Sequence, residues 1–414
     1  MTARHGTALV LVAAVALAAA VTARAQEGEL HGYIDYRLVS PPGERSFIDG
    51  GMGKTRFGDG DATAQFGGAA LVGTLQLTPA LLAEADVRYE STDRHELTLD
   101  QAYLRWRPVS TTPWRWSLKA GAFFPPISLE NDAIAWSSRA TLTPSAINSW
   151  VGEELRVIGA EYRVEWRGER QSVELAGALF GANDPAGEIL DARGWSLSDL
   201  AYGIGASVPE PDVVAIELGE PVPRRYDPYV EIDHRLGWYA ELAWHGPAQS
   251  QVALMRYENR GDPTTSTRYE TEHTVFTWRT DFWSLGADTR VDDLRLRAQA
   301  MSGETDIEPS PFFRSSTDFD AAYLLLSWER SAWRPALRYD WFRTIEHPVP
   351  GGEEGGVREL GHALTLALNW RPRAWLRVTG EVLRVDSFRS QRRDEGRDPD
   401  SVDTQTQLSA RFLF

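Results

Sequence analysis

Apolar and polar residues alternate along this chain in segments of roughly ten residues, the length of a tilted membrane-crossing strand. In one segment Ala83, Ala85, Val87 and Tyr89 lie on one face and Glu84, Asp86 and Arg88 on the other. In another, Ile158, Ala160, Tyr162 and Val164 oppose Glu161, Arg163 and Glu165. The last stretch sets Leu408, Ala410, Phe412 and Phe414 against Gln407, Ser409 and Arg411. A period of two predicts strands over 30–40, 63–77, 80–90, 96–107, 114–124, 154–166, 171–181, 236–245, 250–259, one within 271–290, 294–302, 319–329, 334–344, 359–371, 375–386 and 404–414.

The breaks alternate in length. Short ones fall at 78–79, 108–113, 167–170, 246–249, 291–293, 330–333 and 372–374, and most others are far longer. Short turns on one side and long loops on the other, with an even strand count, predict an all-β fold: a transmembrane antiparallel β-barrel of sixteen strands with periplasmic turns and extracellular loops. Tryptophan supports this. Trp106, Trp114, Trp166, Trp244, Trp328, Trp333, Trp370 and Trp375 all flank short turns. Indole prefers a membrane–water boundary, where its ring is in apolar surroundings and its N–H meets water. The eight predict an aromatic girdle, with Tyr89, Tyr257 and Trp341 as candidates for the opposite rim. A water-soluble sandwich with one buried face is the competing architecture.

Residues 1–25 read as a secretory signal. Arg4 and His5 precede an apolar run over 8–21, and Ala23-Arg24-Ala25 is a cleavage motif, which leaves residues 26–414 as the barrel. The chain has no Cys, so it has neither disulfides nor a lipid-attachment thiol. Its formal charge of −16 excludes a basic nucleic-acid face, and only Lys54 and Lys119 are lysines.

No catalytic spacing stands out. The chain lacks G-x-S-x-G, H-E-x-x-H and a Gly-rich phosphate loop, and its eight His are scattered. No cofactor or metal is implied. The charged set of inward parity is more informative. Arg88, Arg105, Lys119, Arg163, Arg256, Arg297, Arg338, Arg377 and Arg411, with Glu84, Asp86 and Glu161, are the pore-lining candidates. Such charges tune ion selectivity in a water-filled lumen, or pair with one another and stiffen the wall. The connection 125–153 carries Glu130, Asp132 and Arg139 beside Ile134, Trp136, Leu142, Ile147 and Trp150. Side chains that apolar need a surface to bury against, and the lumen wall offers one. This is the candidate constriction loop, and 182–235 is its rival as a long extracellular or plug loop.

The run LDQAYLRWRP (99–108), followed by a short turn and LKAGAFFPPISLEN (118–131), resembles the porin superfamily that includes the phosphate-selective porins. The terminal Phe likewise resembles the closing strand of outer-membrane barrels, where Phe412 and Phe414 would be read by the barrel-assembly machinery. The resemblance implies a sixteen-stranded barrel in outer-membrane lipid, commonly a homotrimer, that passes small hydrophilic solutes passively and is narrowed by its third loop. Phosphate selectivity in that family goes with an arginine- and lysine-lined path. Here lysine is scarce and Arg is balanced by acid, so that preference is not carried over. The expected function is an outer-membrane porin, a channel for solutes or ions. The alternatives are a plugged structural or interaction barrel and, third, an outer-membrane enzyme with a Ser/His/acid set at its rim.

Overall fold

Period-two alternation becomes sixteen strands joined in a ring. The computed structural model describes residues 27–91, 97–214, 225–269, 273–310, 313–347 and 358–414; the expected signal segment lies outside them. Each strand pairs antiparallel with its chain neighbours: β1 (Glu27–Ser40), β2 (Thr63–Thr78), β3 (Leu81–Tyr89), β4 (Leu97–Trp106), β5 (Trp114–Phe123), β6 (Val157–Arg167), β7 (Ser172–Gly181), β8 (Gly237–His245), β9 (Gln251–Glu258), β10 (Arg279–Val291), β11 (Leu294–Ser310), β12 (Phe313–Trp328), β13 (Trp333–Glu346), β14 (Arg358–Arg373), β15 (Leu376–Arg389) and β16 (Asp400–Leu413). β16 pairs with β1 from Tyr33↔Leu413 to Ser40↔Thr406, so the sheet closes and no edge is left to recruit another chain. No described helix is long and apolar enough to cross a membrane.

Burial along the strands decides between a membrane barrel and a soluble sandwich. On β14, Leu360, Leu364, Leu366 and Leu368 are all exposed, while Glu359, Thr365 and Asn369 are buried to 1% or less. A soluble sheet would do the opposite. The exposed leucines face lipid, and every backbone polar group between them is held in the ladder. At the short-turn rim Trp106, Trp114, Trp244, Trp328, Trp333, Trp370 and Trp375 are exposed, and Trp166 is half-buried. Trp333 stacks on Trp370 at 5.5 Å and Trp375 on Phe412 at 6.2 Å. Phe412 and Phe414 both face outward. The Phe414 backbone extends the ladder onto Gly32 (2.9 and 3.1 Å), and its ring lies where a Cβ on residue 32 would come within 2.6 Å. Only glycine fits there.

A β-bulge keeps the faces consistent at β1–β2. Asp35 pairs with Gly68 and Tyr36 with Phe66, so one residue is absorbed, and Gly68 takes φ +132°. The outward set of β2 thereby switches from Phe66 to Ala69 and Leu71, while Asp35 and Arg37 stay buried inside.

Two expectations fail on β9. Arg256 does not line the lumen: Ala253, Met255 and Tyr257 face inward, and Val252, Leu254 and Arg256 face out. The inner face of β9 packs on loops rather than water and is therefore apolar, which reverses the usual parity signal. Arg256 sits near the long-loop rim, ion-paired with Asp281 over the Trp283 ring, where a long side chain lifts its charge toward the interface. Tyr257, expected at the outer rim, is fully buried inside and donates to Asn183 at 2.7 Å. Beyond these, β11 and β12 run longer than the pattern predicted. His273–Phe276, placed within the tenth strand, instead pairs with Ser266–Tyr269 outside the ring. Glu154, expected to open the sixth strand, ends a helix.

Candidate pore constriction

The connection between β5 and β6, residues 124–156, turns into the barrel and crosses it. Its descending arm follows β10 and β11: Leu129 packs beside Gly286, and the Ile127 carbonyl accepts from Gln299 at 2.9 Å. Asp132 pairs there with Arg297 and Arg295, and also with Arg139 at 3.5 Å. Three residues on, the Ala135 carbonyl accepts from Arg88 of β3, and Ala135 packs against Tyr33 and Ala70. β11 and β3 lie half-way round the sixteen-strand ring from each other, so the loop spans the lumen.

The loop then returns along β13–β16. The Ser138 carbonyl accepts from Arg377 (2.9 Å), and the Leu142 and Thr143 amides donate to Glu381 (2.6 and 3.1 Å). Arg338 donates to the carbonyls of Thr143 (2.6 Å) and Pro144 (2.9 Å). Ser145 caps the next element, helix α1 (Ala146–Glu154), and accepts from the Asn148 amide. Glu130 holds the same turn from below, accepting from the Ser145 amide (2.7 Å) and the Asn148 side chain (2.8 Å), 3.6 Å from Arg338. Every residue of α1 is buried, and Trp150 packs against Phe282, Phe319 and Trp195. No part of α1 meets solvent because the segment after β7 closes over it, with short helix α2 (Glu188–Ala192), Trp195 and the pair Val208–Pro209/Arg225–Tyr226. Residues 215–224 of that segment lie outside the described residues. Glu154 joins the two layers, accepting from Trp150, Tyr226 and the Gly187 and Ile189 amides; burial, only partly offset by those donors, pushes its carboxyl up to about 7.

A small cavity lies beside Trp136. Ala135 and Trp136 both have left-handed backbones (φ 53° and 51°), uncommon in residues with side chains. The indole stacks on Phe124 at 3.8 Å, and the Arg156 guanidinium covers the Phe124 ring at 3.1 Å. Next to this stack is a cavity of about 10 Å³, room for one water, bordered by Tyr33, Arg88, Trp136, Asp199 and Arg411. Arg88, Asp199 and Arg411 belong to a chain of buried ion pairs. Asp35 accepts from Arg37 and Arg411 (each 2.8 Å); Arg37 and Arg56 both pair with Asp199; Arg56 reaches Glu90 at 3.0 Å; Arg88 reaches Asp100 at 2.9 Å. Burial raises the Asp199 carboxyl, but its two guanidinium partners outweigh that and hold it far below the carboxylate range.

At the short-turn end is a wider vestibule of about 250 Å³. Arg105, Arg107, Arg115, Lys119 and Arg163 line it, with Glu161, Glu165 and Glu174. The inward charges thus divide. Arg105, Lys119 and Arg163 reach water, and Glu84 is half-buried. Arg88, Arg297, Arg338, Arg377 and Arg411, with Asp86, are buried to 3% or less, and the five arginines hold loops or neighbouring strands. Of the loop candidates, Glu130 is fully buried, while Asp132 and Arg139 stay partly exposed. The pattern did not single out Asp35, Arg37, Asp100, Arg156 or Asp199. Asp35 and Arg37 alternate with Ile34, Tyr36 and Leu38 and were legible on that ground; Asp199 lies in an irregular segment with no periodic signal.

No family model matches the sequence, and no curated protein matches it. Solved structures do match. OmpT, an outer membrane protein of Vibrio cholerae, aligns over 94% of this chain and 97% of its own with a TM-score of 0.51 at 12% identity. The fold is that of the outer-membrane porins. The outer membrane channel DcaP of Acinetobacter baumannii covers the same shares at a TM-score of 0.52 and 10% identity, and Salmonella typhi OmpF does so at 0.50 and 10%. At such identities the likeness speaks for the porin barrel and not for any solute.

Proposed function

We propose that this chain is an outer-membrane channel for passive diffusion of small hydrophilic solutes or ions, narrowed by the crossing loop. One observation carries the reading: inside a closed barrel with an outward apolar belt, a charge-lined cavity of about 250 Å³ lies at the short-turn end, where Arg105, Lys119 and Arg163 reach water. A wall that merely held the barrel together would have no use for a hydrated, charge-lined chamber. We assign it no catalytic step. His347 lies 2.9 Å from Asp318 at exposed strand ends, and among the described residues no hydroxyl bonds to that imidazole. The test is reconstitution of purified barrel in planar bilayers. Small, steady, ohmic steps support the channel; a silent bilayer containing folded barrel overturns it.

The buried packing of Trp150, Trp195 and Tyr226 favours a second reading, a plugged barrel that serves as a scaffold. The silent outcome would select it. Either reading needs insertion by an assembly machinery. We expect deletion of Phe414 to cut the folded fraction in the outer membrane several-fold while export continues, because it removes both the outward ring and the last ladder bonds to Gly32. Fractionated membranes with a heat-modifiability gel measure this, and normal insertion of the deletion refutes the role.

A further inference from the structure

We propose that the layer closing over α1 is a proton-controlled lid: Glu154, Glu188 and Glu210 hold residues 186–210 down when they carry protons and release them when ionised. The proposal rests on the channel reading for what passes when the lid lifts, and on the packing of these side chains for the lift itself.

The three carboxyls meet where the two layers touch. Glu154 ends α1, Glu188 opens α2, and Glu210 directly follows Val208–Pro209. Glu154 is fully buried and Glu210 is 5% exposed. Glu154 bridges the layers, reaching the Gly187 and Ile189 amides (3.0 and 3.1 Å) and the Tyr226 hydroxyl. Glu188 and Glu210 have no such donors. Glu188 Oε2 and Glu210 Oε1 are buried, and no N–H or O–H reaches either. The two carboxyls lie within hydrogen-bond reach of each other instead. Facing carboxyls can share a proton as a hydrogen-bonded pair, but they repel when both are ionised.

The bases around the cluster are committed elsewhere. Arg193 faces Glu210 but pairs with Glu153 of α1, which also accepts from Ser196 at 3.3 Å. Arg225 donates to the Ser207 hydroxyl and carbonyl (2.9 and 2.6 Å), and Arg45 pairs with Asp212 at 2.7 Å. From the wall, Arg389 donates to the Asp191 carbonyl at 2.8 Å and lies 3.9 Å from Glu359, with which Lys54 pairs. Asp191 of α2 and Glu346 of β13 add acid, and Asp191 accepts from the Ser315 and Thr317 hydroxyls. Among the described residues, then, no base is ion-paired with Glu154, Glu188 or Glu210. Burial pushes all three carboxyls up, Glu154 to about 7, and the Glu154 charge pushes the other two further. Tyr226 stays a neutral donor, because burial and the same carboxyls push its hydroxyl well up. A carboxyl raised in this way binds its proton more tightly with the lid down than in open water. Docking is therefore firmest below the ordinary glutamate range of ~4.3, and it weakens as pH rises through about 7. One glutamate raised from 4.5 to about 7 favours the docked lid by on the order of a hundredfold in acid over alkali.

Purified barrel in detergent is followed by amide hydrogen exchange and mass spectrometry at about pH 5 and about pH 8.5, with rates corrected for the intrinsic pH dependence of exchange. Peptides from 186–210 should lose protection by about tenfold or more at the higher pH, while peptides from β12–β15 keep theirs. The double variant E188Q/E210Q replaces the facing acids with amides that do not ionise, so its lid should stay protected at the higher pH. E210Q alone, whose amide can donate to Glu188, serves if the double variant does not fold, and should keep the lid about tenfold better protected than the wild type there. The proposal is overturned if protection over 186–210 is the same at both pH values, if the strands lose protection together with it, or if the folded variants follow the wild-type profile. Bilayer recordings over the same range separate this proposal from the channel reading. A barrel that stays silent while the lid lifts would remove the channel reading and leave the lid standing. Steady conduction with an unchanging lid would do the reverse.

Discussion

Excising residues 131–142 and joining the ends with a short Gly-Ser link should raise single-channel conductance by about tenfold, since a narrow constriction dominates the resistance of a pore. The deleted stretch carries Trp136, the Ala135 carbonyl that docks on Arg88, and Asp132, which docks on Arg297. These contacts hold the loop across the lumen; the ring itself is held by ladder bonds the deletion does not touch. Arg88 keeps Asp100 at 2.9 Å and Arg297 keeps Asp288 at 3.2 Å, so neither is stranded when water replaces the loop. Bilayer recordings of wild type and variant check this. Equal conductance would place the bottleneck elsewhere, in the layer formed by Trp195 and Tyr226.

The second large effect is on stability. Arg338 is fully buried; its Nε is 2.7 Å from Asp340 and a second nitrogen is 3.6 Å from Glu130, besides the Thr143 and Pro144 carbonyls it holds. Replacing it with Met leaves two carboxylates in a dry wall with no cation, which costs about 3–5 kcal/mol. Asp340 keeps the Ala146 amide at 3.2 Å, but Glu130 Oε2 has no hydrogen-bond donor at all. Urea unfolding of the R338M barrel should show the loss, and R338M/D340L should recover part of it, because removing both members of a buried pair costs less than removing one. If R338M unfolds like the wild type, the buried pairs are not what fixes the loop.

Fold and site differ in how far they could be read from the chain. Alternation marked all sixteen strands because lipid on one side and charge on the other impose a period of two. Ala83/Glu84 and Ile158/Glu161 are of this kind. The same rule failed at Met255–Tyr257, where the inner face meets protein rather than water and polarity no longer separates in from out. The crossing loop was legible through Trp136 and Trp150, which a solvated loop does not carry. Its route was not, since the Arg297–Asp132 and Arg88–Ala135 contacts join residues far apart in sequence through an aperiodic segment. Parity placed Arg105 and Arg338 on the same face; only packing separates a hydrated cation from a buried clamp.

A cylinder of one-layer sheet is easily flattened, and the loop between β5 and β6 has a mechanical consequence for it. Fastened to β11 through Arg297, to β3 through Arg88 and to β13 through Arg338, it acts as a cross-brace in both tension and compression. Changes in lateral pressure from the surrounding bilayer would then be shared between three arginine joints and the wall, whose resting cross-section follows from its sixteen strands and their register.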